Sequence, residues 1–288
     1  MRRFSAVVIR SFLLWLTLCS LALAAEEGLL WRVSGQGAEG YLFGTMHSED
    51  PRVTRLPQEV EKQFAAADTL MLEVALDAET ESFMARQMLL PPESSLTTEV
   101  GEALAREARQ AMLGRGVPPE VTERLQPWAT VLILSTPVQE SGLFLDKLLY
   151  ERAQASGKVF YPLESAAEQI AIFAELKGSE QRELLRSVLG EYQSYPALFV
   201  QMTEAYLDRD LSRLVAMSEE NPLSSDTALQ QKVMGRLLDE RNRRMVERMV
   251  PRLQEGVVFV AVGALHLPGE MGLIALLRQR GYQVEARY

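Results

Sequence analysis

The only two histidines of the chain, His47 and His266, end the same short pattern near its two ends. The first copy reads Tyr-Leu-Phe-Gly-Thr-Met-His and the second Val-Val-Phe-Val-Ala-Val-Gly-Ala-Leu-His, so each is an apolar strand, a glycine, two further residues and a histidine. Imidazole is the usual neutral metal ligand and proton carrier near neutral pH. A hydrogen-bonded structural histidine at a strand end is the alternative for either copy alone. The repetition favours one shared functional site, needed for chemistry rather than folding.

Two glutamates, Glu73 and Glu164, also follow apolar strands. Ligands of open α/β sheets bind outside the carboxyl ends of the strands. If these four strands are parallel neighbours, the four side chains converge on one crevice. We then expect a divalent metal (manganese, cobalt or zinc) held by His47, His266 and Glu73, with a position left open for water. Catalytic roles are predicted for Glu73 and Glu164, against the alternative that each carboxylate only caps the segment that follows it.

Arg241 interrupts an apolar stripe in a helix predicted over residues 226–250. The stripe recurs at three- and four-residue spacing and consists of Met234, Leu237, Leu238, Met245 and Met249. A buried arginine needs a carboxylate or a substrate anion as its partner. The pattern therefore predicts that Arg241 is buried or faces the crevice, pairs with Glu164 or Glu73, and is catalytic. A structural ion pair with another acid is the alternative.

Three further residues are predicted to bind substrate or to hold the loops around it. Asn242 lies at the edge of the same stripe, and Gly44 and Gly263 precede the two histidines. Glycine allows the backbone to turn tightly or to approach a ligand closely.

Composition limits the classes of function. The sequence of 288 residues is 47% hydrophobic and 24% charged, which is typical of globular proteins. Its formal net charge of −9 argues against nucleic acid as a partner, because phosphate binding needs a basic surface. The single cysteine, Cys19, falls in the predicted leader, so we expect no disulfide and no thiolate ligand in the mature protein.

Residues 1–25 are predicted to be a cleaved signal peptide. They combine early arginines with an apolar stretch over residues 11–23, shorter than the roughly 20 residues of a spanning helix, and then a small-x-small pattern at residues 22–24. We expect a periplasmic or secreted protein that begins at Ala25 or Glu26 and has no later membrane span. Mass spectrometry of the exported protein tests this expectation. A mass that retains residues 1–24 would favour the alternative, an uncleaved anchor.

Strands near both ends and a long helical middle predict one α/β domain over residues 26–288. Its expected core is a mixed β-sheet flanked by helices. Residues 35–40 spell G-x-G-x-x-G, but a second strand follows them where a dinucleotide site needs a helix, so we interpret them as a hairpin turn.

The chain resembles the TraB/GumN family, which includes the Tiki-type proteases. The shared segments are Tyr41 to His47, Leu72-Glu73, Gln126-Pro127-Trp128, Leu163-Glu164 with Gln169, Glu240-Arg241-Asn242, Val262 to Gly269, and Gly281-Tyr282. The resemblance implies a metal-dependent, peptidase-like domain related in architecture to erythromycin-esterase and ChaN-like proteins. Leu265, where a small residue is common, and Ser165, where threonine is usual, are minor departures.

Two functions from different classes remain open. The first is a periplasmic metal-dependent hydrolase, and the favoured form is a peptidase acting on peptide or protein substrates. The second is a non-catalytic periplasmic protein that holds a metal, a haem or an envelope component in the same crevice. Motifs of ordinary zincins, P-loop NTPases and serine hydrolases are absent from the sequence.

Overall fold

The structure, a computed structural model, describes residues 27–138 and 141–288. The expected α/β class is confirmed: a mixed sheet of six strands is flanked by helices. The predicted signal peptide lies outside the described residues. Within the described part of the chain, no helix is both long enough and apolar enough to cross a membrane.

The sheet has the strand order β4-β3-β5-β2-β1-β6. The strands are β1 (Leu30–Gly35), β2 (Ala38–Thr45), β3 (Thr69–Leu72), β4 (Val159–Pro162), β5 (Val257–Gly263) and β6 (Gln283–Ala286). Neighbours among β4, β3, β5 and β2 pair in parallel, whereas β1 is antiparallel to both β2 and β6. The four strands that precede the predicted site residues are therefore parallel neighbours, and their carboxyl ends share one edge.

The glycine-rich segment between β1 and β2 is a tight hairpin, as predicted. Its two loop residues, Gln36 and Gly37, have positive φ angles of 54° and 81°. Two-residue hairpins of this hand match the twist of the strands. No phosphate-binding helix follows the glycines, which removes the nucleotide interpretation.

Helices fill the long middle of the chain and both faces of the sheet. They are α1 (Pro51–Thr54), α2 (Gln58–Ala66), α3 (Ala78–Gln87), α4 (Leu96–Val100), α5 (Glu102–Leu113), α6 (Pro119–Thr122), α7 (Pro127–Leu134), α8 (Leu145–Ala155), α9 (Ala166–Ala174), α10 (Gly178–Glu191), α11 (Tyr195–Leu207), α12 (Leu211–Glu220), α13 (Thr227–Met234), α14 (Arg241–Met249) and α15 (Leu273–Gln279). One apolar cluster surrounds the sheet, and a second joins the helices of the middle section.

The helix predicted over residues 226–250 contains an irregular turn. Helices α13 and α14 are joined by a π-helical segment, Gly235–Glu240, that ends directly before Arg241. Single π-helical turns within α-helices occur often at functional sites. Hydrophobic spacing at three and four residues predicts the helix but not this change of pitch.

Candidate functional site

The sheet brings the four predicted strand-end residues to one edge. Glu73 directly follows β3, Glu164 is two residues beyond β4, His47 is two beyond β2, and His266 ends a 3-10 turn (Ala264–His266) after β5. Since β5 lies between β2 and β3, His266 comes between the other two elements that carry the predicted metal ligands. The predicted convergence at the carboxyl ends of parallel strands is realised.

His266 is buried and held in one tautomer. Its Nδ1 lies 2.6 Å from Oδ1 of Asn242, and the amide nitrogen of Asn242 donates to the carbonyl of Met271 at 2.8 Å. Because Asn242 presents its oxygen to the ring, the proton is on Nδ1 and the lone pair on Nε2. Burial lowers the pKa of His266 to about 4, against the pull of the Glu73 carboxylate. The imidazole is therefore neutral at pH 7.

Glu73 faces that lone pair. Its Oε1 lies 3.7 Å from Nε2 of His266 and accepts the backbone N–H of Gly263 at 2.7 Å. Oε2 accepts from Arg241 at 2.5 Å and from the amide of Gln169 at 3.4 Å. Burial opposes ionisation of Glu73, but His266, Arg241 and the Gly263 N–H together lower its pKa to about 2. Glu73 is an anion at any physiological pH.

Arg241 lies buried between two carboxylates, and the predicted pairing is confirmed. Its Nε donates to Glu164 at 2.7 Å, and its Nη2 donates to Glu73 at 2.5 Å. Glu164 is only 1% exposed and also accepts from Arg244 at 2.8 Å. Glu164 does not cap helix α9, because Ser165 provides that cap.

His47 lies on the exposed side of the crevice. Its ring stacks against Phe144 with 3.8 Å between the ring centroids. Partial desolvation lowers the pKa of His47, against the carboxylates of Glu73 and Glu49. His47 lines a cavity of about 600 Å³ together with Glu73 and a second cavity of about 310 Å³ together with His266. The cavities thus connect the two histidines through shared walls.

The three residues predicted to bind substrate lie next to the predicted metal ligands or to the turns that carry them. Asn242 is 2% exposed, and its amide is engaged by His266 and Met271. A side chain on Gly44 would come within 2.9 Å of Leu267, so this glycine allows β2 to pack against the turn after β5. A Cβ on Gly263 would lie 3.3 Å from Glu73 Oε1. Through these contacts the three residues help to position the side chains of the site. Gly263 also lines the 600 Å³ and 310 Å³ cavities.

The donor set fits a divalent cation in its chemistry. A neutral nitrogen lone pair and a carboxylate oxygen, both electron-rich, face each other at 3.7 Å between His266 and Glu73. A cation between such atoms removes their mutual repulsion, and the Asn242 contact is the kind of outer-shell hydrogen bond that orients a ligating histidine. In residues 27–138 and 141–288, no group of three or more His, Asp or Glu side chains is already arranged to hold a metal. His47 lines the cavities that Glu73 and His266 also line, and it is therefore the candidate third ligand.

Asp146 also lines the crevice and was not predicted from the sequence. It lies in the first turn of α8, where acids are common for reasons of helix stability alone. Its Oδ1 accepts from Thr45 at 2.8 Å, and the side chain lines the 600 Å³ cavity with His47 and Glu73. Burial and the charge of Glu73 raise the pKa of Asp146 to about 7. The neighbouring carboxyl groups of Glu73 and Asp146 thus have pKa values that lie far apart, a pattern found in acid–base sites.

We expect Asp146→Asn to stabilise the metal-free protein at alkaline pH. The pKa of Asp146 is raised in the folded state, so its ionisation opposes folding progressively between about pH 4 and 7. Asparagine keeps an acceptor for Thr45 and removes the charge. Thermal unfolding should show a gain of about 1–3 kcal/mol at pH 8, allowing for partial exposure. The gain should shrink at pH 5, and an equal effect at both values would contradict the assignment.

Comparison with known proteins shows similarity to one protein family and to several individual relatives. The profile of the TraB/PrgY/gumN family matches residues 29–286. "Uncharacterized protein YbaP" of Escherichia coli (strain K12) is 25% identical over 243 residues, covering 83% of this chain and 87% of the relative. "Metalloprotease TIKI homolog" of Amphimedon queenslandica is 24% identical over 321 residues (91% and 62%), and "Metalloprotease TIKI2" of Xenopus tropicalis 26% over 325 (93% and 61%). No solved structure gives a significant match.

Proposed function

The chain belongs to the TraB/PrgY/gumN family, and from that premise we propose that it is a periplasmic metal-dependent hydrolase that cleaves peptide or protein substrates. The relatives named metalloproteases support the reaction class. The export signal expected in residues 1–25 supports the compartment. The observation that carries the proposal is the opposition of His266 Nε2 and Glu73 Oε1 in a crevice that His47 also lines.

His266, Glu73 and His47 would hold the metal, which we propose to be manganese, cobalt or zinc. Imidazole and carboxylate suit these ions. When bound, such a metal lowers the pKa of water and polarises a carbonyl. Asn242 keeps the lone pair of His266 on Nε2, and the Gly263 N–H fixes Oε1 of Glu73. The chain therefore presents both donors in their deprotonated forms at neutral pH.

Arg241 and Glu164 have different roles in this proposal. Arg241 lines two of the cavities, so its guanidinium can contact a substrate oxygen while it neutralises Glu73. Glu164 is buried behind Arg241 and holds the guanidinium plane through Nε. Catalytic contact thus falls to Arg241 and Glu73, and Glu164 acts through Arg241.

The test combines metal analysis with digestion. Purified protein lacking residues 1–25 is equilibrated with Mn²⁺, Co²⁺ or Zn²⁺, its metal content is measured after dialysis, and a peptide library is digested with and without a chelator. One metal per chain and cleavage that the chelator stops and added metal restores are expected. Metal binding without cleavage would instead favour the alternative function, a non-catalytic periplasmic protein holding metal, haem or an envelope component.

A further inference from the structure

Two apolar cavities open on either side of the segment that carries Leu237. We call the first the Met202 cavity; it measures about 310 Å³, and its apolar walls include Met46, Met202, Leu214, Met234, Leu237 and Leu238. We call the second the Met88 cavity; it measures about 210 Å³, and its apolar walls include Met84, Met88, Trp128, Leu132, Phe173 and Leu237. The apolar residues named for the two cavities come from different parts of the chain, and Leu237 is the one that both sets contain.

Both cavities reach the proposed reaction centre. His47 and His266 form the polar end of the Met202 cavity. Glu73 lines the Met88 cavity. Arg241 borders both, one helical turn beyond Leu237, whose carbonyl accepts from its guanidinium at 3.2 Å. A group bound across Leu237 would therefore pass the residues proposed to hold the metal.

The size of the cavities points to side chains. Pockets for drug-sized ligands measure roughly 300–1,000 Å³, and these two cavities lie at or below the lower end of that range. Leu237 and Arg241 form a wall common to both, and neither cavity alone is large enough for a haem. Each cavity has room for one large apolar side chain, since an apolar cavity of about 150 Å³ already holds benzene.

An extended peptide presents its side chains in this way. Successive side chains of an extended chain point to opposite sides, so neighbouring residues can enter cavities on opposite sides of one ridge. We propose that the substrate is a polypeptide with large apolar residues on both sides of the cleaved bond, one bound in the Met202 cavity and the other in the Met88 cavity. Cleavage of this polypeptide rests on the proposed function, whereas the preference in binding does not.

The wild-type protein provides the first test in two measurements. Metal-free protein is titrated with acetyl-Leu-Leu-amide and with acetyl-Gln-Gln-amide by NMR, and metal-loaded protein is used to map cleavage sites in the peptide library. We expect the leucine compound to bind at least tenfold more tightly, and bonds flanked by Leu, Met or Phe to be cleaved about 10–200-fold faster than bonds lacking one such side chain.

Charge substitutions at half-buried wall residues provide the second test. Met202→Glu and Met88→Glu should each weaken binding of acetyl-Leu-Leu-amide at least tenfold and move the preference at one side of the cleaved bond towards lysine. Val200→Glu on α11 and Leu89→Glu beside Met88 are matched controls, since both positions are exposed (62% and 47%). Neither control should change binding or cleavage.

The outcomes separate this inference from the proposed function. Preferential binding of acetyl-Leu-Leu-amide without any cleavage leaves the cavities assigned and removes the hydrolase. Cleavage at bonds with no apolar preference keeps the hydrolase and overturns the assignment of the cavities. Absence of both binding and cleavage overturns both. If a glutamate variant does not fold, the wild-type measurements still decide.

Discussion

Replacing His47 or His266 with alanine is expected to abolish binding of the divalent metal and cleavage of peptides. Each substitution removes one of three proposed ligands, and loss even of an outer-shell partner typically costs 10–100-fold in metal affinity. Loss of a ligand should cost more, so we expect a fall of at least ~100-fold in both metal affinity and kcat/KM. Metal content after dialysis and the rate of library digestion measure the two effects separately.

The two histidines differ in what their loss does to folding. From sequence we expected little change in unfolding for either variant. His47 is exposed and should follow that expectation. His266 is 4% exposed and bonded to Asn242, so alanine leaves a buried amide oxygen without its partner, a loss of about 1–3 kcal/mol. His47→Ala is therefore the cleaner probe of function.

A matched control uses the surface of α8. Glu151 is exposed, and Glu151→Gln should leave metal content, cleavage and unfolding unchanged. If His47→Ala binds metal as the parent does, the shared site is wrong. If it loses metal while His266→Ala keeps it, His266 is a structural residue and the metal lies nearer His47.

Convergence of the strand-end residues was predicted on the condition that their strands are parallel neighbours, and the structure meets that condition. His47, Glu73 and His266 each follow an apolar run, and this pattern placed them in one crevice only on that condition. The strand order could not be predicted in this way. Insertion of β5 between β2 and β3 depends on packing over about 190 residues of separation, as in the contact of Gly263 with Glu73.

The side-chain contacts that set the chemistry were less accessible from sequence. Asp146 lies on a helix, where no strand-end rule applies, and its raised pKa needs the nearby charge of Glu73. The Asn242 contact that fixes the tautomer of His266 depends on the direction of one amide, which the spacing of a helical stripe does not specify. A search for acids in the first turn of helices that follow loops near His47 could have included Asp146, together with many acids of no functional importance.

Arg241→Met is expected to destabilise the protein by about 3 kcal/mol at pH 7. Methionine preserves length and apolar character, but it leaves Glu73 and Glu164 without a buried cationic partner. Removing one member of a buried ion pair typically costs 3–5 kcal/mol. We expect the lower end because Arg244 still donates to Glu164 at 2.8 Å. Denaturant titration gives the free energy of unfolding.

The pH dependence identifies the cause of that loss. Arg241 helps to lower the pKa of Glu73 to about 2, so the Glu73 charge stabilises the parent above about pH 4, and this contribution is lost as pH falls towards 2. The difference between parent and Arg241→Met should therefore be largest near pH 7 and shrink below pH 4. Arg243→Met, an exposed position on the same helix, should stay within about 0.5 kcal/mol of the parent. A deficit that is the same at pH 7 and pH 3 would mean that packing of the guanidinium stem, and not its charge, holds α14 against the strand ends.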